Sequence, residues 1–234
     1  MAFHSGVRFL GGRHVLDPQA LVTRLFDRFI KDGGEFIQDT VKSVEARGDS
    51  VDIQLANGKT HSAGKLVIAA GAHARSIKGS GAEDLPLGVE RGYHVMFAEH
   101  AHRVTRPVAW AEGAFYATPM STGLRLAGTV EIDRLDAPEN PARTRALTKR
   151  AHVMFGTELG EPTSTWLGYR PTMPDSLPVI GTSHRSDRIL FAFGHQHLGL
   201  TLGSITGRII ADLAEDRLPN FDISAFAPGR FRKS

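Results

Sequence analysis

The sequence predicts a mixed α/β fold: a parallel-sheet domain carrying an antiparallel meander, interrupted by an inserted mixed-sheet domain. Three observations carry this. Two runs, Lys65 to Ala70 and Arg188 to Phe193, are continuously apolar and rich in β-branched or aromatic residues, as strands buried on both faces of a parallel sheet must be. Between them lies a stretch of shorter strands with a single amphipathic helix, and an Asn-Gly turn marks a hairpin near the start.

The elements follow in order. Asp17-Pro18 pairs an N-cap with a proline at the first helical position. Leu21, Leu25, Phe26 and Phe29 recur at helical spacing, and Gly33-Gly34 ends the helix. A short strand is expected at Glu35 to Ile37. Val41 to Ala46, Val51 to Leu55 and His61 to Ala63 alternate with period two around Gly48-Asp49 and Asn57-Gly58, which predicts a three-stranded meander. The Lys65 to Ala70 strand ends at Gly71-Ala72, and ligands of open α/β sheets bind at that edge. From Leu87 to about Arg170 strands are expected at 88–97, 108–111, 115–118 and 124–130, with Leu147, Ala151, Met154 and Phe155 on one helix. The Arg188 to Phe193 strand then leads through Gly194 to Gly199 into a helix over 201–213, with Gly203 and Gly207 on closely packed faces. The domains implied are 1–84 with 171–234, and 85–170 inserted.

Composition narrows the function. The 234 residues include no cysteine, which removes disulfides, thiolate catalysis and thiolate metal ligation, and agrees with a reducing cytoplasm. No apolar run reaches the roughly 20 residues of a membrane span, and Met1 to Gly6 lacks the pattern of an export signal. The net charge of +3 is dispersed, whereas nucleic-acid binding shows a clustered basic face. Arg230, Arg232 and Lys233 read as a solvated tail. His195 and His197 sit at i, i+2, but His94, His152 and His184 supply no third ligand at metal-site spacing, so no metal is expected.

Three constellations have chemical meaning. Gly194-His195-Gln196-His197-Leu198-Gly199-Leu200-Thr201 is a strand-to-helix turn whose backbone N–H groups favour an anion or an electron-rich ring edge; an ordinary βα turn with two exposed histidines is the alternative. Trp166 to Pro171 followed by Pro174-Asp175 and Leu177 to Gly181 places Arg170 in a rigid, proline-rich segment. Its guanidinium suits a carboxylate; a salt-bridge arginine is the competing reading. Ala69-Ala70-Gly71-Ala72 allows close backbone approach to a ligand, or tight helix–strand packing.

The order LDPQALV (16–22), KLVIAAGA (65–72), FYATP (115–119), RLAGTVE (125–131), WLGYRPTMPDSLPVIG (166–181) and FAFGHQHLGLT (191–201) resembles the D-amino-acid oxidase family of FAD enzymes, over roughly residues 15 to 215. The last segment is most similar to the D-amino-acid and D-hydroxyproline dehydrogenase branch. The resemblance implies an incomplete FAD/NAD(P)-binding-type domain and FAD as cofactor. The activity it implies is oxidation of D-amino acids or related secondary amines by hydride transfer to flavin N5, with electrons leaving to a quinone or carrier. Localisation would be cytoplasmic or peripheral to the inner membrane. It further implies that Arg170 meets the substrate carboxylate and that Tyr116, His197, Glu131, Tyr93 and His94 line the substrate pocket. The flavin contacts would be Val41, Ala69, Ala70, Gly71 and the run Gly194, His195, Gln196, His197, Leu198, Gly199, Leu200, Thr201. The family's opening strand and GxGxxG are absent, and Gly11-Gly12 has the wrong spacing. The chain therefore reads as the C-terminal two-thirds of such an enzyme, expected to hold FAD weakly and not to turn over alone. A binding or regulatory module derived from such an enzyme, or a flavoprotein of this fold with another substrate, is the alternative.

Overall fold

The computed structural model describes residues 5–231; the opening 1–4 and the expected tail residues Arg232 and Lys233 lie outside them. The chain divides into two units, one of Met1–Glu35 with Arg91–Gly168, the other of Phe36–Glu90 with Tyr169–Ser234.

In the first unit, α1 (Pro18–Lys31) starts as expected. The Asp17 carboxylate accepts from Ala20 N–H at 2.9 Å, satisfying one of the donors that a helix start leaves free. Asp32 and a left-handed Gly33 (φ 94°) close it. None of its residues is buried; Leu25 is 62% and Phe29 50% exposed. A five-stranded sheet follows, in the order β6 (Val108–Trp110), β7 (Phe115–Met120), β8 (Gly123–Ile132), β5 (Gly88–Phe97), β9 (Ser164–Thr172), the residues of β5 before Arg91 and of β9 after Gly168 being counted with the second unit. Successive strand residues point to opposite faces. Tyr93, Val95, Phe97, Phe115, Ala117, Leu124 and Leu126 thus form one face and pack on Leu147, Ala151 and Met154 of α2 (Pro141–Phe155). Asn140 caps α2 through its side chain, and Gly156 ends it in the left-handed region.

In the second unit, the meander β1 (Val41–Arg47), β2 (Ser50–Leu55), β3 (Thr60–Ala63) is antiparallel throughout. A second sheet has the order β10 (Val179–Thr182), β11 (Ile189–Phe193), β4 (Leu66–Ile68). β11 runs parallel to β4, with Ile189 opposite Leu66 and Phe191 opposite Ile68. The unbroken apolar run of β11 is explained by its two neighbours. Ile189, Phe191 and Phe193 join Val44, Val51, Ile68 and Val179 in one core, and Leu190 packs with Ile209 and Ile210 of α3 (Gly199–Ala214) on the other side.

Five expectations are corrected. Residues 35–37 form no strand, and Phe36 and Ile37 are exposed. β4 is three residues long rather than six, and Val67 is 39% exposed, because only one of its edges is paired. The segment around Arg170 is a strand, β9, despite Pro171. Gly203 and Gly207 are exposed, and a methyl at either meets nothing within 4 Å; α3 packs instead through Thr206, Ile209 and Ile210. Arg230 is no solvated tail: it holds Asp175 at 2.6 Å and donates to the carbonyl of Leu177, with its side chain 14% exposed.

A candidate flavin and carboxylate site

The parallel register brings the C-terminal ends of β4 and β11 to a common edge, so Ala69-Ala70-Gly71 and Gly194-His195-Gln196 leave the sheet side by side. Gly71 (φ 54°) and Gly194 (φ 84°) turn the chain there in the left-handed region, where a β-carbon is unfavourable. At Gly194 it would also press on Met173 at 3.0 Å. Gln196 adopts φ 50°. α3 then begins with no side-chain cap. Its first residues, Gly199, Leu200 and Thr201, are exposed, and the first N–H turned back into the helix is that of Leu202, to Leu198 O at 2.9 Å. An uncapped helix start of this kind presents donors and partial positive charge to an anion or ring edge.

Arg170 lies in the same unit, held from both sides of that edge. On one side the Gln196 N–H donates to Pro171 O at 2.9 Å, and Thr172 bridges to His195. On the other, the Tyr169 ring meets His73 edge-on at 6.4 Å between centroids, and His73 follows Gly71 by two residues. Arg170 is half-buried as a residue, and its guanidinium takes part in none of the ion pairs among the described residues. His195 is fixed by a 3.0 Å hydrogen bond between its Nε2 and the hydroxyl of the buried Thr206. Burial lowers its pKa from the usual histidine value, so the ring is a neutral pin between turn and helix. His197 is exposed. Val41 opens β1 and packs at the margin of the core. His73, Tyr169 and Thr206 were not singled out from sequence; only Tyr169 stood inside a quoted motif.

The four remaining substrate candidates lie in the other unit, on opposite faces of its sheet. Tyr93 is 2% exposed and donates its hydroxyl to Glu131 at 2.8 Å. Asn140 donates to both, from its backbone to the Tyr93 oxygen and from its side chain to Glu131. Arg91, also buried, approaches Glu131 at 3.4 Å. This network anchors the start of α2. The Glu131 carboxyl is held below the ordinary range, first by the Asn140 hydrogen bond and then by that of Tyr93. Thr129, at φ 61°, breaks the alternation of β8 and turns Glu131 to this face. Tyr116 and His94 point the other way. Tyr116 is 59% exposed. His94 stacks on Trp166 with centroids 5.0 Å apart and planes 20° from parallel. Gly168 makes room for that indole: a methyl there would overlap it.

Burial, and secondarily the charge of Arg125, push the His94 pKa down from 6.5 to about 4. A base with a depressed folded pKa binds its proton more readily when unfolded, so stability rises with pH between the two values. The His94 contribution is therefore lost as pH falls from 6.5 towards 4. We expect an NMR titration midpoint for the His94 ring near pH 4, and a flatter stability profile over that window in His94→Gln. A midpoint near 6.5 would contradict the burial assigned to it.

With this geometry in view, the comparisons are direct. Residues 2–213 match the family model DAO, described as FAD dependent oxidoreductase. The chain belongs to this family. It is 33% identical over 219 residues to a D-amino-acid oxidase of Bradyrhizobium diazoefficiens, covering 92% of this chain and 52% of that protein. With a D-amino acid dehydrogenase of Paramagnetospirillum magneticum it shares 29% identity over 197 residues, 82% of this chain and 46% of the relative. The crystal structure of glycine oxidase from Geobacillus kaustophilus superimposes with a TM-score of 0.69 at 25% identity, over 85% of this chain and 54% of that one. This DAO-family chain thus spans about half the length of the relatives it matches. Among its described residues no helix is long and apolar enough to cross a membrane, and no group of three or more His, Asp or Glu is placed to hold a metal.

Proposed function

We propose that this chain contributes the flavin-ring contacts and the substrate-carboxylate clamp of an FAD-dependent enzyme that oxidises D-amino acids or related secondary amines. One observation carries the reading: Arg170, with no carboxylate partner among the described residues, is tied through Pro171 and Tyr169 to the two ends of the β4–β11 edge. The unit Phe36–Glu90 with Tyr169–Ser234 holds the flavin contacts, through Ala69 to Gly71 and the uncapped start of α3. The residues present fit such a group, because exposed backbone donors at a helix start and left-handed glycines at a sheet edge suit an electron-rich, planar ligand.

Bound flavin supplies the hydride acceptor. The chain's own part is positional. Arg170 receives the carboxylate in a two-pronged hydrogen bond and thereby fixes the α-carbon, and fixing a reacting atom accounts for a large share of many rate enhancements. No side-chain base is assigned. The reading extends to electron delivery to a quinone or carrier, and to a location that is cytoplasmic, with which the cysteine-free sequence agrees, or peripheral to the inner membrane.

Anaerobic reduction tests it. In the flavin-loaded protein a D-amino acid or a cyclic secondary amine bleaches the flavin, and the L-enantiomer does not. Flavin left oxidised by every D-amino acid and cyclic amine overturns the assignment in favour of a non-catalytic module or another substrate.

A further inference from the structure

Thr206 lies on the buried face of α3 and is 6% exposed. Hydroxyls of helical threonines commonly turn back to a carbonyl three or four residues earlier. Both threonines of α2 do so: Thr144 donates to Pro141 O at 3.0 Å and Thr148 to Thr144 O at 3.1 Å. Thr206 does not. Among the described residues its hydroxyl has one hydrogen-bond partner, the Nε2 of His195 at 3.0 Å.

The direction of that bond follows from counting hydrogens. A hydroxyl has one, and a buried hydroxyl keeps it on an acceptor. The Thr206 hydrogen therefore points at Nε2, which must be the ring nitrogen that lacks one. Burial lowers the His195 pKa and keeps the ring neutral. A neutral imidazole has a single N–H, and the bond made at one nitrogen decides that the other carries it. The His195 hydrogen sits on Nδ1, the less favoured position for a free imidazole in water, so the hydroxyl has to hold it there. Nδ1 makes no hydrogen bond among the described residues and is not one of their sealed, unpartnered atoms.

We propose that Thr206 is a positioning residue that sets the polarity of the Gly194–Thr201 turn: its hydroxyl donates to His195 Nε2, holds the ring as the Nδ1–H tautomer, and makes that side chain a neutral hydrogen-bond donor. Gly199, where α3 begins, is close by; a β-carbon there would stand 3.8 Å from His195 Cβ. The imidazole and the open N–H groups of the helix start then offer donors alike. The opposite tautomer would set a lone pair beside those donors and repel the electron-rich edge they attract. The tautomer belongs to the chain itself; that this donor serves a flavin rests on the function proposed above.

Long-range nitrogen–proton NMR correlation of the histidine rings, in labelled protein without flavin at mildly alkaline pH, reads the tautomer directly. Wild type shows His195 with a bare Nε2 and a protonated Nδ1, and the exposed His197 gives the free-ring pattern in the same spectrum. Thr206→Val keeps the shape of the side chain and removes its hydroxyl. It shifts the Nδ1–H to Nε2–H ratio by about tenfold, the size of one neutral hydrogen bond, and Thr206→Ser restores the wild-type pattern. Loss of fold would be seen in the backbone amide spectrum of the same samples, and the serine variant tests the hydroxyl without emptying the site. A wild-type His195 with its hydrogen on Nε2 overturns the proposal, as does an Nδ1–H form undiminished in Thr206→Val. Added FAD then shifts the wild-type His195 Nδ1 resonance. An Nδ1 that FAD leaves unmoved, with the tautomer switching as described, overturns the flavin reading of the turn and leaves the Thr206 assignment standing.

Discussion

Replacing Arg170 by alanine in the flavin-loaded enzyme raises KM for carboxylate substrates by roughly 30- to 900-fold, which corresponds to about 2–4 kcal/mol for a charged hydrogen-bonded pair whose partner is left buried. The size follows from what surrounds the guanidinium. It is half-buried, has no ion-pair partner among the described residues, and sits on a strand whose backbone is bonded to the glycine turn. A salt-bridge arginine would already have its carboxylate. Arg170→Lys recovers little, since an ammonium cannot offer two parallel donors. Steady-state kinetics with a D-amino acid and with the amine lacking its carboxylate make the comparison. The ratio between the two substrates collapses in the variant, and an unchanged KM removes Arg170 from this role.

The second large effect is on stability. Phe191 is fully buried at the centre of β11, opposite Ile68 and among Val51, Val179 and Ile189. Phe191→Ala removes a ring from a close-packed interior and costs about 3–5 kcal/mol. Denaturant titration measures it directly. The same strand carries the turn at Gly194 to Gln196, so the variant also loosens the seating of His195 against Thr206. A loss below about 1 kcal/mol would mean that the β4–β11 pairing is not the centre of this core.

Much of this was legible because it is local. The Asp17 cap, the meander around Asn57-Gly58, the α2 apolar stripe and the β11 run each declare themselves within a few residues. The family motifs pointed to the turn at Gly194 to Thr201 and to Arg170, which the fold brings together. What stayed hidden depends on distant partners. KLVIAA has the composition of a doubly covered strand, but composition cannot say that one edge goes unpaired, so its reduction to Leu66–Ile68 was unreadable. Pro171 argues against a strand and masked β9. Tyr93 and His94, adjacent in sequence, were both assigned to the pocket, although a strand sends neighbours to opposite faces; that much was available. The positive φ at Thr129, which carries Glu131 across to the α2 face, was not, because nothing in a threonine announces it.

One consequence belongs to α1. Its six apolar residues from Leu21 to Ile30 are each at least 37% exposed, so little apolar burial backs its helical form beyond the Asp17 cap and the Arg28–Asp32 pair at 2.7 Å. Tertiary packing ordinarily supplies most of a helix's resistance to opening, and segments without it exchange their amide hydrogens far faster. Of the three α-helices among the described residues, the fourteen-residue α1 is therefore the one expected to unwind most readily, before α2 and α3 with their buried faces.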